Sequence, residues 1–329
     1  MGPPGAGKTT LLRIISGLEK LDSGTVYLDD RDITNLAPSE RNVGLVFQTF
    51  ALYPHMTVYQ NLASPLTNMN LAKDEIDERV RRTSAFLKID GLLERKPREL
   101  SGGEQQRVAI GRALVRKADF YLLDEPLTNL DYKIRSDMRL EFRRMKEQLR
   151  QTILYATPDP EDALAMADKV AVMNSGKIEQ YDTMRKVYDH PSNLFVGSYF
   201  GHPAMNMVDC VLKEEKDKLV LDASSFTIDV TPFGDSMLKE TMGRKLTLGV
   251  RPRYLRVSTE KLNPPFLSGK VFISEVMGSY TLVHVSIGDV LLRVFVPAVR
   301  RIPSGTAVWL TYELDRLHLF DTETGKAIR

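Results

Sequence analysis

The first two-thirds of the chain alternates short apolar runs with stretches of helical periodicity. Tyr121-Leu122-Leu123, Thr152 to Tyr155 and Val170 to Met173 read as compact buried strands. Between them, Leu140 to Leu149 and Asp162 to Ala167 read as helices. Strands that alternate with helices predict an α/β domain with a mostly parallel sheet. Residues 57–98 carry no strong strand and several charged helix-forming stretches, such as Lys73 to Arg82, which predicts a helical insertion. After about Gly201 the texture changes to short β-type runs: Leu246 to Val250, Val271 to Val276, Leu282 to Ile287, Val290 to Val296 and Ala307 to Tyr312. Gly288-Asp289 joins two of them as a two-residue hairpin with glycine first. The pattern predicts a second domain, a small β barrel or sandwich.

Composition adds exclusions. Formal net charge is +2, so bulk charge makes no case for nucleic acid. The single cysteine, Cys210, permits neither an intrachain disulfide nor a cysteine metal site. No apolar run approaches the ~20 residues that span a bilayer. The expectation is a cytoplasmic protein whose membrane contact goes through a partner.

Candidate chemistry begins at Gly2-Pro3-Pro4-Gly5-Ala6-Gly7-Lys8-Thr9, which fits G-x-x-x-x-G-K-[ST]. Glycines let successive backbone N–H groups curl round phosphates. Lys8 reaches the terminal phosphates of ATP, and the Thr9 hydroxyl can bind Mg²⁺. A helix from Thr10 to Leu18 would turn its positive end to the anion. The motif needs a strand immediately before it, and the sequence begins at the loop. The expectation is that amino-terminal residues, including an aromatic to stack on adenine, are missing. Phe120 to Glu125 is an apolar run ending in two acids, placing Asp124 beside Mg²⁺ and Glu125 beside an attacking water.

Leu100-Ser101-Gly102-Gly103-Glu104-Gln105-Gln106-Arg107 resembles the signature sequence of ABC ATPases. Gln48, within Val46 to Thr49, matches that family's glutamine loop. Leu127-Thr128-Asn129-Leu130-Asp131 matches the loop after its acidic pair. All occur in the family's order. Ser101 can cap a helix whose first turn exposes the N–H groups of Gly102 and Gly103. The resemblance implies that this surface closes on the nucleotide of an opposite subunit, hence a dimer with two nucleotides between subunits. Glu104 stands where glutamine is usual; a carboxylate suits a helix's first turn but sets negative charge toward the γ-phosphate.

Ala51 to Val58 is similar to the segment after the glutamine loop in carbohydrate importers. Leu248 to Pro252 and Leu317 to Asp321 resemble the regulatory domain of maltose and glycerol-phosphate importer ATPases. The resemblance implies an ABC cassette over about 1–200 with a helical subdomain at about 57–115. An oligonucleotide-binding-like (TOBE) regulatory domain would follow over 201–329. It also implies transmembrane permease subunits, a second ATP-binding subunit, indirectly a solute-binding protein, and a place on the cytoplasmic face of the membrane. ABC ATPases also act in DNA repair and translation, but those types carry a long coiled coil or two cassettes. One departure stands out. The family has a histidine after the strand that follows the acidic pair; here Tyr155-Ala156-Thr157-Pro158-Asp159-Pro160 puts proline there. Proline offers neither a side-chain donor nor an N–H. The expectation is a site that binds ATP but turns it over slowly, either in a heterodimer with an intact partner or in a homodimer of two impaired sites. A tolerated substitution in a working enzyme is the competing reading, and a mainly regulatory subunit is another.

Overall fold

A computed structural model describes residues 1–69, 71–128, 130–149, 151–233, 240–261 and 266–328. The chain divides into two compact units. The first comprises Met1–Ala167 with Met173–Ile178, the second Asp168–Val172 with Glu179–Arg329. Residues 179–200 therefore lie with the β-rich unit, ahead of the boundary expected near Gly201.

In the first unit, α1 (Lys8–Ser16) follows the glycine-rich loop and ends at Gly17, whose φ of 80° lets its N–H cap the last turn. A hairpin, β1 (Tyr27–Leu28) and β2 (Arg31–Asp32), leads to β3 (Val43–Val46). Next come α2 (Val58–Ala63) and α3 (Lys73–Phe86), then α4 (Gly102–Leu114). Helices α2 and α3 lie within residues 57–98, the stretch read as a helical insertion, and α4 lies beyond it. Thr57 and Gln60 form a capping box that fixes the start of α2. Strand β4 (Phe120–Asp124) is followed by α5 (Tyr132–Leu149), β5 (Thr152–Ala156) and α6 (Pro160–Met166). Helix α5 begins eight residues before the expected Leu140, because Ile134, Met138, Phe142 and Met145 continue one inward stripe along it.

Strands β3, β4 and β5 form a parallel sheet in that order, with Leu45 opposite Leu122 and Leu122 opposite Leu154. Every residue of β4 is buried, as expected of a central parallel strand covered on both faces. The register aligns Asp124 with Ala156, so the ends of β4 and β5 meet at one edge. The last strands before the β-rich region, β6 (Lys169–Asn174) and β7 (Lys177–Thr183), pair with each other.

The second unit holds the short helices α7 (Met184–Asp189) and α8 (Leu194–Tyr199) and two five-stranded antiparallel sheets. The strands are β8 (Asn206–Glu215), β9 (Lys218–Asp222), β10 (Thr227–Asp229), β11 (Lys245–Val250), β12 (Leu255–Ser258), β13 (Leu267–Val276), β14 (Thr281–Ile287), β15 (Val290–Val296), β16 (Ala307–Tyr312) and β17 (Leu317–Asp321). One sheet runs β10-β9-β8-β11-β17, the other β12-β16-β13-β14-β15. Their inner faces share one core, with Val208, Leu212 and Leu248 from one sheet and Val283, Val294 and Leu310 from the other. Gly288, at φ 56°, makes the turn between β14 and β15 that the sequence signalled. The Asn206 amide ties the sheets together: it donates to the Arg293 carbonyl (2.9 Å) and accepts from the Arg293 N–H (2.8 Å).

Arg251 is fully buried beside the end of α8. Its guanidinium donates to the carbonyls of Phe200 (2.6 Å), Tyr188 (2.9 Å) and Gly197 (3.1 Å) and stacks on the Tyr188 ring. A cation at a helix C-terminus meets the negative end of the helix dipole. Burial, with Arg251 nearby as the next cause, holds His318 far below its ordinary range, at about 4. Burial pushes the Cys210 thiol up to about 12, leaving it inert. Among the described residues no helix is long and apolar enough to cross a membrane.

Candidate functional site: a phosphate loop beside two acids

Gly5 and Gly7 adopt left-handed backbone (φ 80° and 94°), which curls the loop of residues 2–8 over the start of α1. Gly7 is the N-cap residue and has no side chain to bond the first N–H groups of the helix. Gly2 sits where a Cβ would lie 2.4 Å from the Met173 carbonyl oxygen, so only glycine fits. The arrangement presents backbone N–H groups and a helix dipole to an anion.

Lys8 is almost fully buried. Its ammonium donates to the carbonyls of Gly2 (2.7 Å) and Pro3 (2.9 Å) and pairs with Glu125 (3.1 Å). The parallel register delivers Asp124 and Glu125 from the end of β4 to the loop. Thr9 Oγ1 donates to Asp124 Oδ1 at 3.1 Å. Glu125 has φ 45°, a left-handed conformation that turns its side chain back over the sheet edge, where Thr128 Oγ1 (3.2 Å) and Gln48 Nε2 (3.4 Å) donate to it. The structure thus gathers Gly2 to Thr9, Gln48, and the adjacent pair Asp124 and Glu125 from three separate stretches of sequence. Thr10 lies within α1, in the turn behind the loop.

Burial holds the Asp124 carboxyl above the ordinary carboxylate range, and the Thr9 hydroxyl partly opposes this. A cation at this spot would favour the ionised form. The donors are a hydroxyl and a carboxylate, both hard oxygens, which suits Mg²⁺ completed by phosphate and water oxygens.

Pro158 stands two residues past Ala156, the partner of Asp124. The Glu125 N–H donates to the Ala156 carbonyl (3.0 Å), so the loop carrying Pro158 abuts the acidic pair. That loop is strongly held. Asp159 caps α6 through the Glu161 N–H. Arg139 on α5 reaches Asp162 (2.6 Å), Asp159 (3.0 Å) and Glu161 (3.0 Å).

The signature segment lies apart from the loop. Among the described residues, 101–104 make no hydrogen bond with 2–9. Ser101 is the N-cap of α4, and Glu104 turns back onto it, accepting from the Ser101 N–H (2.7 Å) and hydroxyl (2.8 Å). These bonds, the backbone one first, hold the Glu104 carboxyl below its ordinary range. Its charge is thus spent on the cap. Gly103 packs so tightly that a Cβ would lie 2.7 Å from Ile134. In the loop after the acids, Asn129 lies outside the described residues.

Sequence reasoning passed over Arg41 and Arg139. Arg41, nearly buried, donates to the carbonyls of Ile14 and Ile15 (2.8 Å each), Thr34 and Leu36, pinning the end of α1. Only the rarity of a buried arginine marks such a residue, and burial is not written in the sequence.

The model of the ABC transporter family matches residues 1–128, that of the MalK OB fold domain residues 201–253, and that of the TOBE domain residues 248–320. The chain is 42% identical over 328 residues to the sn-glycerol-3-phosphate import ATP-binding protein UgpC of Salmonella typhi, covering 100% of this chain and 90% of that protein. It is 39% identical over 332 residues to the ABC transporter ATP-binding protein YurJ of Bacillus subtilis, with the same coverage. Among solved structures it resembles the dimeric post-hydrolysis state of the ATP-binding cassette MJ0796 bound to ADP and Pi. That match has 30% identity and a TM-score of 0.50, over 56% of this chain and 83% of that one. The chain belongs to the ATP-hydrolysing subunits of ABC transporters, in the maltose and glycerol-3-phosphate importer branch, with a cassette followed by an OB/TOBE domain.

Proposed function

We propose that this chain powers an importer of a carbohydrate, polyol or glycerol phosphate, and that its own nucleotide site turns over slowly because of Pro158. Its place is the cytoplasmic face of the membrane, against transmembrane permease subunits that a solute-binding protein supplies. The relatives' import of sn-glycerol 3-phosphate supports the solute class.

In this reading the N–H groups of residues 5–10 cradle the phosphates of ATP, and Lys8 exchanges Glu125 for the terminal phosphate. Thr9, Asp124 and Gln48 would hold Mg²⁺, which neutralises phosphate charge when bound. Glu125, released by Lys8, orients the attacking water and accepts its proton. Ser101 to Glu104 of a second ATP-binding subunit close the site from the other side.

The observation that carries the slow-site reading is the position of Pro158, in a braced loop against the ends of β4 and β5. A donor aimed there at the γ-phosphate is what a histidine supplies and proline lacks. The capped signature helix would complete a partner's site, in a heterodimer with an intact second ATPase or in a homodimer of two slow sites.

The test is Pro158→His in the assembled transporter, with the partner's catalytic glutamate removed so that only this site reports. One lost transition-state donor costs ~3 kcal/mol, or ~10²-fold in rate. Turnover should therefore rise about a hundredfold. An unchanged rate in a well-folded complex refutes the slow-site reading.

A further inference from the structure

The geometry points to Arg139, Asp162 and Thr157 as a positioning relay that sets the first glycine of the phosphate loop, and through it Lys8. Arg139 Nε donates to Asp162 Oδ1 (2.6 Å), and Thr157 Oγ1 donates to Asp162 Oδ2 (2.8 Å). Thr157 and Asp162 are 2% and 3% exposed, so these bonds are shielded from water. Tyr155 adds its hydroxyl to the same Asp162 oxygen at 3.4 Å. The Thr157 hydroxyl in turn accepts from the Asp159 N–H (3.0 Å), so its position is fixed on both sides.

The main chain of Thr157 does the work at the site. Its carbonyl accepts from the Gly2 N–H (3.2 Å), and the Gly2 carbonyl accepts from Lys8 Nζ (2.7 Å). Lys8 reaches Glu125, whose N–H returns to Ala156, the neighbour of Thr157. The bonds form a closed ring through Thr157, Gly2, Lys8, Glu125 and Ala156. Gly2 cannot shift toward the other side, because the Met173 carbonyl is already there. A displaced Thr157 therefore displaces the loop where the phosphates must fit. None of the three relay residues belongs to the phosphate loop; they act on it through the Gly2 N–H bond to the Thr157 carbonyl. Asp162 is buried, and three carboxylates crowd one turn, so Arg139 supplies the charge that lets Asp162 stay there.

The relay rests on the phosphate loop being the nucleotide site. Titration of the full chain with MgATP by calorimetry, well below its melting temperature, tests both separately. Thr157→Val keeps the shape and removes the hydroxyl; it should weaken MgATP binding about tenfold. Thr157→Ser should restore affinity to within about twofold. Asp162→Asn should weaken binding similarly, and combining it with Thr157→Val should add little, as expected of coupled residues. Leu62→Val in α2 provides a matched stability loss remote from the relay and should not change affinity. Wild-type affinity in a folded Thr157→Val chain overturns the relay, as does equal loss in Leu62→Val. If Thr157→Val fails to fold, Arg139→Lys serves, since it keeps the charge but cannot reach three carboxylates at once. Full affinity in Arg139→Lys overturns the relay too. Unchanged affinity in Lys8→Ala refutes instead the assignment of the loop.

Discussion

Replacing Lys8 by methionine should destabilise the nucleotide-free cassette, and a second change at Glu125 should repair it. The Lys8 side chain is 4% exposed and that of Glu125 13%, with charges 3.1 Å apart. Removing one member of a buried pair leaves the other desolvated, at a cost of ~3–5 kcal/mol. Glu125 keeps the Thr128 hydroxyl and the more distant Gln48 amide, and some water reaches it, so the low end applies, about 3 kcal/mol. Methionine keeps the apolar stem that lies under the loop. For a unit of this size 1 kcal/mol moves the melting temperature by about 2–4 °C, so Lys8→Met should melt about 6–12 °C lower. Lys8→Met with Glu125→Gln removes the stranded charge and should recover most of that loss. The assay is thermal unfolding followed by circular dichroism, with nucleotide stripped. A single variant within about 2 °C of wild type, or a double variant that melts below the single one, refutes the pairing argument.

Three further outcomes follow from the geometry. His318 should make the second unit acid-sensitive: its pKa is about 4 folded against 6.5 unfolded, so below pH 6.5 the unfolded chain binds the extra proton. Stability should then fall as pH drops from 6.5 to about 4, by about 3 kcal/mol in all, and His318→Phe should flatten that slope in denaturant titrations. Glu104→Gln preserves the capping box and should change stability by less than about 0.5 kcal/mol, whereas Glu104→Ala should cost about 1 kcal/mol in the same titration. Gly103→Ala must push Ile134 aside and should cost about 1–3 kcal/mol in urea unfolding.

The glycine-rich loop, the acid-tipped strand and the signature helix were legible because each needs residues with little latitude: glycine at positive φ, a carboxylate at a strand end, a serine cap. Strand β8 and its partner β9 escaped notice. Val208, Cys210 and Leu212 are the inward apolar residues of β8, next to the buried polar Asn206, and its far end carries charge. The turn joining them uses Lys216 and Asp217, both left-handed at φ 49° and 63°, with none of the glycine that usually marks a two-residue hairpin. The Arg139 cluster was equally silent, since its partners lie 20–23 residues away. An arginine on a charged helix reads as solvent-facing until the fold closes over it.

The bare start of α1 bears on how long the protein survives. Gly7 gives the first helical amides no side-chain cap, so an anion bound there would complete the helix end. A ligand held at 100 times its dissociation constant adds about 2.7 kcal/mol to the folded state. Where nucleotide is abundant, local opening around residues 2–10 becomes about a hundredfold rarer, and with it proteolytic nicking and amide exchange there. Without nucleotide that protection is absent, so amide exchange across residues 2–10 should be faster in nucleotide-free protein than in the ATP-loaded subunit.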